Sequence, residues 1–150
     1  MRYSVATEND IPFISRVYTE NMAALHGAPR SEDTWKSLLA EPNTVYYIVY
    51  APESAAWFRI DLSDDALWLG MLQVEPVHQR KGIGKYVLSV IETMARERNL
   101  PNIGIHTTQD NTAARALYSS AGYAVTEVGP CTTADGVERV GYTFQKELHL

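Results

Sequence analysis

Gln79-Arg80-Lys81-Gly82-Ile83-Gly84 stands between an apolar run ending in Val74-Glu75-Pro76 and a helical pattern that begins near Lys85. Strand, glycine turn and helix in that order make a site for a phosphorylated ligand. Two closely spaced glycines let backbone approach the ligand, and a helix start offers free N–H groups at the positive end of its dipole. Arg80, Lys81 and Lys85 add positive charge around the turn. Two familiar phosphate loops do not fit. The P-loop pattern needs glycine at position 79 and Ser or Thr at 86, where Gln79 and Tyr86 stand. The dinucleotide fingerprint needs a third glycine at 87, where Val87 stands. A pyrophosphate cradle of another type remains.

Outward from this turn, no repeat, low-complexity tract or long linker appears, and residues 1–150 read as a single domain. Tyr3–Thr7 alternates as a short strand. Asn9 or Asp10 caps a helix carrying Ile11, Ile14, Val17, Tyr18 and Met22, which His26-Gly27-Ala28-Pro29 breaks. Ser31 starts a second helix that ends before Pro42. Thr44–Tyr50, Ala55–Leu62 and Ala66–Val74 read as an antiparallel meander. Ile83, Val87, Ile91, Met94 and Ala95 form the buried face of a third helix, stopped by Pro101. Ile103–Thr107 is a strand, and Asp110 or Asn111 caps a fourth helix through Ser120. Gly122 takes the left-handed position after it. Ala124–Val128 and Val137–Lys146 close the chain as strands around a polar loop holding Cys131 and Asp135-Gly136. The expected class is α+β: a central, mostly antiparallel mixed sheet of about seven strands flanked by about four helices.

Composition narrows the function. With 45% apolar residues the chain builds a real core, and its net charge of -5 argues against binding to polyanionic nucleic acid. The single cysteine excludes an internal disulfide, and no His, Cys or carboxylate spacing suggests a metal site. No apolar run approaches the roughly 20 residues of a membrane span, and Met1-Arg2-Tyr3-Ser4 leads into no secretory segment. A cytoplasmic enzyme or binding module without a membrane partner is expected.

Asn111-Thr112-Ala113-Ala114-Arg115-Ala116-Leu117-Tyr118 leads to Gly122-Tyr123 and spells N-x-x-A-x-x-L-Y-x-x-x-G-[FY]. With Q-x-x-G-x-G some thirty residues upstream and V-x-P just before that, the chain closely resembles the GNAT N-acetyltransferase superfamily, in detail from about Ala66 to Tyr123. The resemblance implies a GNAT-like fold. It also implies that the turn amides of Arg80, Lys81, Gly82, Ile83, Gly84 and Lys85 hold the pyrophosphate of acetyl-CoA. Gln79 falls at the position that helps hold the turn, and Leu72-Gln73-Val74 forms the strand end that pairs with the pantetheine arm. Asn111 is an N-cap whose side chain the resemblance also places against the cofactor.

The reaction so implied is attack of an amine on a thioester. A lysine-like amine has a pKa of about 10.4 and must lose a proton before it attacks. Tyr118 matches the tyrosine that protonates the departing thiolate. The N–H of Val74, at the end of the splayed strand, is the first choice to face the thioester oxygen. For the base, one branch has a glutamate seven residues before the Q/R position, where this chain has Leu72. The ribosomal-protein alanine acetyltransferases have one five residues before the motif asparagine, where this chain has His106. Imidazole is suited to that task near neutral pH. Glu75, Asp61 and a water chain are the alternatives.

The acceptor stays open between a small amine, an amino acid, an antibiotic and a peptide terminus. Tyr46, Tyr47, Trp57, Trp68 and Tyr123 offer an aromatic lining or simply core. A non-catalytic acyl-CoA sensor on the same scaffold is the rival reading. A toxin that acetylates aminoacyl-tRNA would call for a basic surface, which the charge opposes. Homodimers are common in the superfamily, and nothing in the chain fixes that state.

Overall fold

The computed structural model describes residues 1–149. Seven strands form one sheet: β1 (Arg2–Val5), β2 (Thr44–Tyr50), β3 (Ser54–Leu62), β4 (Ala66–Val74), β5 (Asn102–Thr108), β6 (Ala124–Thr132) and β7 (Glu138–Glu147). Their order is β1-β2-β3-β4-β5-β7-β6, and every pairing is antiparallel except β4 with β5. The helices are α1 (Ile11–Asn21), α2 (Glu32–Leu39), α3 (Ile83–Glu97) and α4 (Thr112–Ser120). The mixed sheet and four helices agree with the expected class.

Alternation along the strands divides the core between the two faces of the sheet. Ile14, Val17, Tyr18 and Trp35 from α1 and α2 pack on Tyr46, Ile48 and Trp57. On the other face Val87, Ile91 and Met94 of α3, together with Tyr118 of α4, cover Phe58, Ile60, Leu67, Ile105 and Phe144. Most of the aromatic candidates for a pocket are therefore core. Trp57 meets Trp35 edge-on at 5.7 Å, Tyr47 stacks on Phe58, and Tyr123 is buried beside Tyr118.

Two local expectations change. Asp10 stands at the N-cap position of α1 but makes no side-chain cap bond to it, and Thr7 caps the turn that precedes it. Thr7 Oγ1 accepts from the Asn9 N–H and the Asp10 carboxylate accepts from the Thr7 N–H, which closes a short 3-10 turn ahead of α1. Cys131 is not in a loop. The last hairpin is longer than its polar sequence suggests, and Cys131 lies on β6 opposite Arg139, its sulfur beside Gly141. Cross-strand bonding to β7 overrides the weak strand propensity of Gly129-Pro130.

Two irregularities shape the middle of the sheet. Arg59 pairs with Met71 but Ile60 with Leu69, so Gly70 is an extra residue bulging from β4. A Cβ on Gly70 would lie 2.4 Å from the Arg59 guanidinium, which stays over the bulge in an ion pair with Asp61. Beyond it the parallel pairing stops. Leu69–Ile105 is the last partnered pair of β4 and β5, and Gly70–Val74 runs on beside β3 alone while His106–Thr108 runs on beside β7. A second bulge, at Thr126 of β6, lies between the pairs Val125–Phe144 and Glu127–Thr143.

Candidate active site

The parting of β4 and β5 opens a cleft of about 470 Å³ through the sheet. Register tells which backbone groups face it. The Glu75 N–H donates to the Ala55 carbonyl at 2.9 Å, so Gln73 and Met71, at alternate positions, also point at β3. Leu72 and Val74 therefore present their N–H and C=O groups to the opening. The Val74 carbonyl is taken twice, by Asn21 Nδ2 at 2.9 Å and Gln79 Nε2 at 3.2 Å. Both groups of Leu72 and the N–H of Val74 stay open. Leu72 lines the cleft, and Val74 lies just past its lining.

Gln79 thus does hold the turn, by hydrogen bonding back to the strand end. Asn21, at the end of α1, completes the tie. Its Nδ2 also reaches Oε1 of the buried Gln73 at 3.2 Å. Within the turn Arg80 and Gly82 have φ of 61° and 83°, and the left-handed Gly82 stands at the N-cap of α3 with open space where a Cβ would be. The first helical bond is Tyr86 N–H to the Gly82 carbonyl, and no backbone acceptor meets the N–H groups of residues 80–85 among the described residues. Arg80, Lys81 and Lys85 are exposed around them. Gly84 has a separate purpose: a Cβ there would sit 2.7 Å from Leu117, so its absence lets α4 close against α3. Six free amides, a helix N-terminus and three cations suit a pyrophosphate.

The α4 side of the cleft brings Asn111 and Tyr118 together. Asn111 Oδ1 accepts from the Ala114 N–H at 3.2 Å, the N-cap role expected of it. Tyr118 packs edge-on against Phe144 at 5.5 Å and lines the cleft, and its hydroxyl takes part in no hydrogen bond among the described residues. Burial pushes its pKa up to about 12, so the phenol keeps its proton.

On the opposite face lie His106, Thr143 and Glu127. His106 stacks on Trp68 with ring centroids 4.8 Å apart, and its Nδ1 is 3.0 Å from Thr143 Oγ1. Trp68 lies flat over Gly104, where a Cβ would be 2.3 Å from its ring. The other base candidates are engaged elsewhere. Glu75 pairs with Arg16 at 2.6 Å, and Asp61 is held by Thr44 and Arg59; neither lines the cleft.

The α1–α2 loop, with Ala24 and Leu25, roofs this face. His26 Nε2 meets Asp110 Oδ2 at 2.7 Å, and the Asp135 N–H donates to the His26 carbonyl at 3.1 Å. The Asp110 carboxyl is held below the usual range, first by the Thr108 hydroxyl and then by His26. No trio of His, Cys, Asp and Glu among the described residues gathers as a metal site, and no helix there is long and apolar enough to cross a membrane.

Sequence reasoning missed Asn21, Glu127 and Thr143, while the roof is the connection between the first two helices around His26–Ser31 from which acceptor choice is expected. Glycines inside strands, at 70, 104, 129 and 141, were the available signal, since strand glycines mark bulges and close approaches.

Residues 11–123 match the acetyltransferase (GNAT) family, and the chain belongs to that family. A curated relative, the [ribosomal protein bS18]-alanine N-acetyltransferase of Escherichia coli (strain K12), is 28% identical over 98 residues, 65% of this chain and 66% of that protein. The matched stretches span from about a third to about two thirds of such relatives. The crystal structure of the ribosomal-protein-S18-alanine N-acetyltransferase from Escherichia coli superposes with a TM-score of 0.80 at 22% identity, covering 99% of this chain and 94% of that one. yncA of Salmonella typhimurium, solved with its cofactor acetyl-CoA, gives 0.77 at 18% identity, covering 99% and 94%. The fold is shared.

Replacing Asn21 with Ala strips the buried Gln73 Oε1 of its donor. We expect a loss of about 1–3 kcal/mol in urea unfolding. An unchanged midpoint would show that the tie is not structural.

Proposed function

We propose that this chain is an acetyl-CoA-dependent N-acetyltransferase that acylates a primary amine by direct attack within a ternary complex. The observation that carries this reading is the opening between β4 and β5, which joins a free-amide turn and Tyr118 on one face to His106 on the other. The open groups of Leu72 and Val74 fit the amides of a pantetheine arm, and residues 80–85 fit its pyrophosphate. Bound there, acetyl-CoA supplies an acyl carbon attached to a thiolate leaving group.

Each residue then has a task. His106, ring-stacked and with Nδ1 against Thr143, takes the proton of the incoming ammonium at Nε2, directly or through water. The Leu72 N–H, rather than that of Val74, is the donor for the carbonyl oxygen as charge develops, because Leu72 lines the cleft. Nitrogen–carbon bond formation and carbon–sulfur cleavage leave a thiolate, toward which Tyr118 directs its O–H, and the second proton shed by the attacking nitrogen passes through water to that thiolate. A phenol at about 12 stands well above a thiol near 8.5, so Tyr118 acts by hydrogen bonding the sulfur as charge grows there. A sensor of acyl-CoA would need no such free hydroxyl in its cleft, and that favours catalysis.

The test is thiol release from acetyl-CoA across a panel of amines, amino acids and peptides; no release with any acceptor would sink the reading. With an active acceptor, Tyr118→Phe is expected to lower kcat roughly 100-fold while changing acetyl-CoA affinity far less. Equal turnover would remove Tyr118 from the mechanism. Burial raises the Tyr118 pKa above that of a free phenol, so its stabilising contribution is complete below pH 10 and fades as pH climbs through about 12. Any basic limb below about pH 11 should accordingly survive Tyr118→Phe.

His106→Gln should lower kcat/KM about 100-fold. An unchanged kcat/KM would assign proton removal to water or another group.

A further inference from the structure

Among the described residues Glu127 is the only Asp, Glu, Lys or Arg lining the cleft, and it joins no ion pair there. Its orientation comes from the bulge. In a regular strand Glu127 would share a face with Val125, which is paired with Phe144 on the α3–α4 side. The extra residue Thr126 reverses that parity and sets Glu127 opposite Thr143 instead. Thr143 in turn pairs with His106. His106, Thr143 and Glu127 therefore form one cross-strand row on the roofed face. Next along the same face Gly129 pairs with Gly141, and both line the cleft, with the Cys131 side chain lying over Gly141.

We propose that Glu127 recognises a second positive charge on the acceptor, so that this enzyme selects amines carrying another cationic group. The inference rests on the acetyl-transfer reading above. His106 and Glu127 stand two strand spacings apart, about 10 Å along the sheet, with side chains projecting the same way. The reacting nitrogen belongs at His106, and the second charge lies over Glu127, with the intervening carbons crossing Thr143. A short aliphatic diamine fits this distance, and so does a peptide terminus followed by a basic residue. The α1–α2 loop, with Ala24 and Leu25 on the cleft and His26 tied to Asp110 and Asp135, narrows the approach to the row and favours the small diamine.

The test uses the whole protein saturated with CoA. Aliphatic α,ω-diamines of graded length, monoamines of matching length, and a peptide pair with Lys or norleucine at the second position are titrated calorimetrically into wild type and Glu127→Gln. The same compounds are then assayed for acetylation with acetyl-CoA. Wild type is expected to prefer the best diamine over its monoamine about fivefold, the upper range for an exposed ion pair. That preference should shrink as salt is raised and vanish in Glu127→Gln. A preference confined to the peptide pair would make the dicationic acceptor a peptide. Equal binding of charged and uncharged partners, or a preference that survives Glu127→Gln, would overturn the proposal even if acetylation proceeds. A Glu127-dependent preference without acetylation of any amine would uphold it and remove the transferase reading.

Discussion

The separation of β4 from β5 after Leu69 and Ile105 is the constraint on which the rest of the molecule depends. A sheet loses hydrogen bonds where two strands part, and unpaired backbone groups are tolerated only where water or a ligand reaches them. Here the loss is localised. The Gly70 bulge turns β4, and the Arg59–Asp61 pair occupies the space above it, so the bend has a fixed position. Asn21 and Gln79 then cap the Val74 carbonyl, which leaves open only the groups nearest the cleft. Stability and ligand binding meet in the same few peptide units.

That opening also explains why the site needs both layers of helices. Alternation sends Leu72 toward α3 and α4 and Gln73 toward α1, while the turn after β4 must still reach the start of α3. Asn21 therefore couples the end of a helix on one face to a glycine turn serving the other. Tyr118 and His106 approach the opening from opposite sides, each held by an aromatic contact: Phe144 for the phenol, Trp68 for the imidazole. Side chains fixed by packing keep their geometry without a ligand, which is the condition for a preorganised site.

The parts legible in the sequence were those encoded within a few residues. Gly82 ahead of an amphipathic helix, Asn111 as N-cap and Gly122 in the left-handed position (φ 90°) each carry a local requirement that a short motif expresses. The meander from Thr44 to Val74 was readable because β-branched and aromatic runs are broken there by turn residues. Bulges were not legible, since one extra residue leaves composition unchanged and reverses every later side chain. Strict alternation places Glu127 with Val125, on the wrong face. Asn21 was hidden for a related reason: its partners Gln73, Val74 and Gln79 lie more than fifty positions away. Tyr118 could be found by its motif, but its raised pKa comes from Phe144 and the packed core around it.

Charge is distributed along the cleft in an order that the net value of -5 conceals. Arg80, Lys81 and Lys85 surround the glycine turn that follows the strand lining it, neutral Leu72 and Tyr118 line the cleft itself, and Glu127 is its one charged lining residue among the described residues. In the proposed reaction this order matters because an amine attacks only after losing its proton. A carboxylate directly beside the reacting nitrogen would favour the ammonium form and oppose the step it is meant to assist. Two strands away, Glu127 can hold a second charge while its pull on the reacting nitrogen is weakened by distance and solvent. The bulge at Thr126 thus does more than turn a side chain inward. It sets a carboxylate close enough to select a cation and far enough to let the other nitrogen become neutral at His106.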